Sequence, residues 1–239
     1  MILALNTAEK THEMTLLTAE RILLSEKWLD DRSDVENLTP RLQKMLAELE
    51  LTKEEITDII IVRGPGSFTS LRVGIAFANA LAEGLSTIKK VALYSLTTFE
   101  LLALKAATRD PLLIALHAGG LDAGVAFTPN HESELKVGPL SDLLAKIPHG
   151  PQTHAIFELP ETLSDEFHAI ATEKKWTILE SHELQTFGEA LLTSGLATSL
   201  VVPAAKPAAP LTPADSVEPL YLKSPHITIS LDPWKKVST

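Results

Sequence analysis

The sequence predicts an α/β fold of mixed sheets flanked by helices, and three observations predict it. Ile2–Leu5, Met14–Leu17 and Ile22–Leu24 are short apolar runs separated by turn residues, Asn6-Thr7 and Thr18-Ala19-Glu20 among them. From Val35 to Leu49 the apolar residues Val35, Leu38, Leu42, Met45, Leu46 and Leu49 recur at spacings of three and four, one face of a helix. Ile59-Ile60-Ile61-Val62 is then a continuous apolar run suited to a central strand. Three strands, a helix and a further strand describe an antiparallel meander feeding a mixed sheet.

The remaining elements follow in order. Pro40 lies inside the first helical pattern, so either Thr39 caps a fresh helix there or the helix is kinked. Thr52 with Glu55 and Thr97 with Glu100 are capping boxes, the second opening a helix to about Ala107. Between them lie the turn from Arg63, a helical run to about Leu85 and a strand at Val91–Tyr94. Leu112–Leu116, Gly124–Phe127 and His154–Phe157 read as strands. Ser141–Ile147, Leu163–Lys174 and Glu183–Leu196 read as helices. Pro203–Pro213 holds four prolines among small residues and reads as an extended connector. No internal repeat at a fixed residue period is visible.

The chain has 239 residues, 45% of them apolar, enough to bury a core as one large domain or two small ones. Having no cysteine, it lacks thiolate nucleophiles, disulfides and cysteine-ligated metal sites, which fits a reducing compartment. The net charge of −10 opposes tracking a phosphate backbone, and the basic residues are scattered. Direct nucleic-acid binding is therefore disfavoured, whereas a role in nucleic-acid metabolism through a partner is not. The N-terminus lacks a basic stretch ahead of an apolar one, and no window approaches the ~20 apolar residues of a membrane span. A soluble cytoplasmic protein without membrane contact is expected.

Three readings compete for Gly64-Pro65-Gly66-Ser67-Phe68-Thr69-Ser70-Leu71-Arg72. A phosphate loop would use glycines between strand and helix to aim amides at an anion. No Lys follows the last glycine, however, and Pro65 has no amide proton. The second reading is a tight strand-to-helix turn with Ser67 or Thr69 as cap, favoured on local grounds. The third concerns the helix, where Ser70, Gly74, Ala78 and Ala82 recur every four residues. Ala76, Ala80 and Gly84 continue that smallness around it. Small residues admit another helix to the near end of the usual ~8–10 Å axis separation. Each helical Gly costs about 1 kcal/mol relative to Ala, so close packing should compensate.

At these residues the chain resembles the TsaB (YeaZ) family of the threonylcarbamoyladenosine tRNA-modification pathway, whose pattern here is Gly-Pro-Gly-Ser-Phe-Thr-Gly-x-Arg. Only the glycine after Thr69 is replaced, by Ser70. The opening Ile2-Leu3-Ala4-Leu5-Asn6-Thr7 is similar too, with Asn6 where the family usually has Asp. Val217-Glu218-Pro219-Leu220-Tyr221-Leu222-Lys223 looks like the family's closing Pro-x-Tyr-Leu-Arg motif. The chain departs at Asp34-Val35-Glu36, where members often carry His-Ser-Glu, and at His117-Ala118-Gly119-Gly120, where they tend to have Asp-Ala-Arg.

The resemblance implies an actin-like ATPase fold with a degenerate nucleotide cleft. Its subdomains would be 1–107 and a divergent 108–223 that includes the connector, followed by a tail, 224–239. It implies a non-catalytic subunit that pairs with the catalytic paralogue TsaD and recruits the small ATPase TsaE, or forms a homodimer through the same helical face. The expected interface is Leu38, Leu42 and Met45 with Ser70, Leu71, Gly74, Ile75, Ala78 and Ala82. Gly64, Pro65, Gly66, Ser67 and Thr69 form the turn and helix cap.

The enzyme readings lack their residues. An actin-like phosphotransferase needs a carboxylate at the end of the first strand to hold magnesium's waters, and Asn6 is a neutral amide. Glu9 lies beyond the turn, and Gly119-Gly120-Leu121-Asp122 reads as an ordinary hairpin. No two of the eight histidines stand three or four residues apart, the usual spacing of a metal-binding pair. There is no Gly-x-Ser-x-Gly elbow. No catalytic residue, metal ligand or cofactor is assigned.

Overall fold

A computed structural model describes residues 1–29, 34–128, 134–148, 150, 152–201 and 211–223. Most of the proline-rich connector and the whole tail from residue 224 lie outside them.

The first sheet has the order β3-β2-β1-β4-β5, built from β1 (Ile2–Asn6), β2 (Thr11–Leu17), β3 (Ile22–Leu29), β4 (Asp58–Val62) and β5 (Ala92–Leu96). β1 pairs antiparallel with β2, in register Asn6↔Glu13, and parallel with β4, in register Ile2↔Asp58. The period-two alternation of a strand sorts its side chains between two cores. Leu3, Leu5, Ile59 and Ile61 face α1 (Asp34–Glu48) and α2 (Phe68–Ser86). Ile2, Ala4, Ile60 and Val62 face α3 (Thr98–Ala106), α6 (Phe187–Thr193) and α7 (Leu196–Val201). Both faces are covered, which is why β1 and β4 read as unbroken apolar runs. α1 is continuous through Pro40, so no fresh helix starts there.

The second sheet has the order β10-β9-β6-β7-β8. Its strands are β6 (Leu112–His117), β7 (Asp122–Thr128), β8 (Glu134–Pro139), β9 (His154–Glu158) and β10 (Thr177–Ile178). It repeats the first: two antiparallel pairings, β6 with β7 and β7 with β8, then two parallel ones, β6 with β9 and β9 with β10. α4 (Leu140–Leu144) and α5 (Glu161–Lys174) cover one face. The other face meets α3, whose Phe99 and Leu102 pack on Leu112, Ile114 and Leu116. Since Leu101 of the same helix packs on the first sheet, α3 is the helix the two halves share. This duplicated β-meander with parallel additions is the actin-like fold.

The helix expected at Glu183–Leu196 is instead a short 3₁₀ turn, then α6 and α7. Thr186 and Glu189 form a capping box that starts α6 late, and Gly195, at φ +74°, separates the two helices. α6 and α7 also cross back onto the first sheet, where Phe187, Leu191, Leu196 and Ala197 are buried. The expected second subdomain, 108–223, is thus not self-contained. β8 has no run of apolar residues to announce it, and it escapes the sequence reading.

Candidate functional site

The turn after β4 is held by backbone from three directions. Ser67 N donates to Ala8 O at 3.1 Å, Thr98 N to Gly64 O at 2.8 Å, and Leu220 N to Arg63 O at 2.7 Å. The Thr98 hydroxyl donates to Pro65 O, and the Gly64–Pro65 peptide is cis. A Cβ on Gly66 would lie 2.2 Å from Ala8 O, so this glycine exists for a close backbone approach. The Ser67 amide that a phosphate loop would aim at an anion is thus already committed to Ala8 O. Ser67 takes the N-cap position of α2 without a side-chain cap bond, and its hydroxyl donates instead to the Ser70 hydroxyl at 3.1 Å. Thr69 lies inside the helix and caps nothing.

The small stripe of α2 faces inward. Ser70, Leu71, Ile75, Ala78 and Ala82 are each less than 8% exposed, and Gly74 is buried beside them. A Cβ on Gly74 would lie 2.1 Å from Thr7 Oγ1. Small residues at these positions let α2 settle on the end of β1. Leu38, Leu42 and Met45 of α1 are buried in the same core. None of the nine side chains expected at a partner interface is on the surface. The reason is physical: a helix lying on a sheet needs its smallest residues where the backbones come closest. The outward face of α2 instead carries Arg72, Ala76, Ala80, Glu83 and Gly84, flanked by half-buried Val73, Phe77 and Leu81. Beside it, α1 exposes Thr39, Gln43, Lys44 and Ala47.

At the end of β1, Asn6 is fully buried; its Oδ1 accepts from Ala8 N at 3.0 Å and its Nδ2 donates to the Glu9 carboxylate. Lys105 of α3 reaches the same carboxylate at 2.7 Å, with both side chains about nine-tenths buried. Glu158, at the end of β9, joins from the second sheet. Desolvation pushes its carboxyl up to about 7, helped by the charge of Glu9 and a hydrogen bond to it and opposed by Lys105. Glu158 as a residue is exposed, while its carboxyl group is turned to Glu9. Lys105 is thus ion-paired to one member of a hydrogen-bonded pair of carboxyl groups that joins the two sheets. The sequence shows Asn6 and Glu9 three residues apart, but nothing in it links them to Lys105 and Glu158.

A groove of about 420 Å³ lies between the turn at Pro65-Gly66, the β6–β7 hairpin from His117 to Asp122, and Tyr221–Lys223. The hairpin closes as expected, with Ala118 N donating to Asp122 O at 2.9 Å. The charges at its rim are paired, Lys223 with Asp122, and His117 Nε2 lies 3.2 Å from Gly120 O. Phe68 stacks on Tyr221 at 5.1 Å between ring centroids, and the Arg72 guanidinium lies 5.3 Å from the centroid of the Phe68 ring. Among the described residues there is no group of three His, Asp or Glu placed to hold a metal ion. None of their helices is long and apolar enough to cross a membrane.

The duplicated sheets and the helix they share define a protein of actin-like fold. Residues 29–204 match the family model described as TsaD: tRNA N6-adenosine threonylcarbamoyltransferase, and the chain belongs to that family. Within it, the resemblance is to TsaB (YeaZ) proteins. The structure of YeaZ from Pseudomonas aeruginosa superposes with a TM-score of 0.65 at 20% identity, over 92% of this chain and 99% of that one. The TsaB protein of Haemophilus influenzae is 33% identical over 84 residues, 35% of each chain, and that of Bacillus subtilis is 25% identical over 84 residues, 35% of this chain and 37% of its own. The chain thus spans only about a third of the length of these two relatives.

Proposed function

We propose that this chain is a non-catalytic subunit in the biosynthesis of tRNA N6-threonylcarbamoyladenosine, binding a TsaD-like paralogue and helping the pair recruit a TsaE-like ATPase. The observation that carries the reading is the end of β1. There a buried amide, Asn6, replaces the carboxylate that would hold magnesium's waters, and Lys105 neutralises the nearest carboxylate, Glu9. A cleft that satisfies its own charges has little left to offer a metal–nucleotide complex. The partner face is the outward side of α2 and α1, where Ala76, Ala80 and Gly84 lie between Val73, Phe77 and Leu81. A stable interface buries ~800 Å² per partner, an area within reach of two helix faces of this length. The same face can serve a homodimer when the paralogue is absent.

The test is restoration of the modified nucleoside in a strain lacking its TsaB protein, together with copurification of the TsaD-like paralogue. Ala80→Arg should abolish pairing and leave the fold intact, since residue 80 is exposed. Ala78→Arg, at a fully buried position, should unfold the chain and so tests nothing about pairing. A folded Ala80→Arg protein that still pairs would refute the assigned face. Micromolar binding and turnover of magnesium-ATP by the isolated chain would favour a stand-alone phosphotransferase instead.

A further inference from the structure

The two sheets are joined at α3 and again by the closing segment. Leu101 of α3 belongs to a core of the first sheet, Phe99 and Leu102 to a core of the second. In the closing segment, Leu220 N donates to Arg63 O at 2.7 Å after β4, and Lys223 pairs with Asp122 of β7. A third junction lies between the turn after β1 and the end of β9, and it is made of acids. Glu9 belongs to that turn, and Glu158 is the last residue of β9, opposite Leu116 of β6. Their carboxyl groups are hydrogen-bonded to each other.

An ionised carboxyl group only accepts, so a hydrogen bond between two of them exists only while one holds a proton. The surroundings decide which. Glu9 accepts from Asn6 Nδ2 and is ion-paired to Lys105 at 2.7 Å, two contacts that favour its charged form. The proton therefore rests on Glu158, whose carboxyl group is desolvated and faces the Glu9 charge. The charged groups that face Glu158 are Glu9, from the turn, and Lys105, from α3. Asn6 is neutral, and Leu116, opposite Glu158 on β6, is apolar. His117, the next residue of β6, has its ring Nε2 3.2 Å from Gly120 O.

We propose that the Glu9–Glu158 pair is a proton-operated latch between the two sheets: the seam is closed while the pair shares a proton, and it parts when that proton leaves to water. Deprotonation removes the donor of this hydrogen bond and sets two carboxylates against each other, while Lys105 is already held by Glu9. Glu158 is exposed as a residue, so its carboxylate regains water once it turns from Glu9. The contacts of Phe99, Leu101 and Leu102 carry no titrating group, so α3 remains as the pivot on which the sheets move. The Glu158 carboxyl ionises at about 7 when latched, against 4.5 for the free group. Linkage then raises the opening constant by about 300-fold between those pH values and levels it above them.

Because the chain has no cysteine, the seam can be followed with a pair of spin labels in the full-length protein. Lys10 and Thr162 are exposed on its two sides, Lys10 beside Glu9 and Thr162 in the first turn of α5 after β9. In Lys10→Cys/Thr162→Cys the distance distribution should gain a longer component as pH rises from about 5 to about 8, the ratio of long to short reading the opening constant. Glu158→Gln in that background keeps a donor toward Glu9 and should hold the short distance at both ends of the range. Glu158→Ala removes the bond and should show the longer component already at the acid end. An unchanged distribution in the labelled parent would overturn the latch. So would a pH response that survives in Glu158→Gln, which would assign the opening to another group such as His117. A short distance kept throughout in Glu158→Ala would overturn it as well.

Discussion

The side-chain amide of Asn79 makes both hydrogen bonds of the Val217 backbone: its Nδ2 donates to Val217 O at 3.0 Å and its Oδ1 accepts from Val217 N at 2.9 Å. One side chain on α2 thus stands in for a neighbouring strand and fastens the closing segment, which has no regular structure of its own. Val217 is 5% exposed, so water is poorly placed to replace either bond. Asn79→Ala should lower stability by about 2–3 kcal/mol, read as a shift of the urea midpoint at unchanged slope. Asn79→Asp should be no better, since it sets an oxygen against Val217 O.

Two glycines of α2 make opposite predictions. Gly84 has open space around it, so Gly84→Ala should stabilise the chain by up to about 1 kcal/mol through helix propensity alone. Gly74→Ala drives a methyl group into Thr7 and should destabilise it by about 1–3 kcal/mol. Thr7→Ala removes the atoms struck, so the double variant should recover part of the loss. Additive losses in a double-mutant cycle would mean that the clash is not with Thr7.

These glycines also show where the sequence was legible. The spacing of four along Ser70, Gly74, Ala78 and Ala82 correctly marks a close approach, but spacing cannot say to what. The approach is to the molecule's own first strand, through Thr7, a residue unremarkable in sequence. The first sheet was readable because β1 and β4 are buried on both faces and their apolar runs are unbroken. The duplication of that sheet was not, because topology repeats here without a repeating residue pattern. β8 and β10 are an edge strand and a two-residue strand, which hydrophobic patterning hardly records. The charge cluster joins residues 9, 105 and 158 through tertiary structure alone.

Glu13 shows the same long-range logic in a buried charge. Its carboxylate, on β2, accepts from Phe187 N at 2.9 Å and from the Thr15 hydroxyl at 3.2 Å, with Lys27 at 3.8 Å. A strand carboxylate therefore serves the first turn of α6, where the helix dipole favours negative charge. Glu13→Gln retains an acceptor and should cost less than Glu13→Ala, for which about 1–3 kcal/mol is expected from the unsatisfied amide. Equal losses in thermal unfolding would show that the charge, and not the hydrogen bond, is what matters.

Glu158 sets a pH dependence whose sign follows from its surroundings. Its carboxyl ionises at about 7 in the folded chain, against 4.5 for the free group. Between those values the folded state holds a proton that the unfolded state has released. Linkage then requires this group's contribution to stability to be intact below about pH 4.5 and to fall as pH rises through about 7. Beyond that point the Glu158 carboxylate is repelled by Glu9 and attracted by Lys105. Glu158→Gln removes the titrating proton and should flatten the profile between pH 5 and pH 8. Lys105→Met leaves the two carboxyl groups without their cation and should steepen it, because ionisation of Glu158 then meets the full charge of Glu9. The measurement is the urea midpoint of each protein across that range. An unchanged slope in Glu158→Gln would assign the pH dependence to another group.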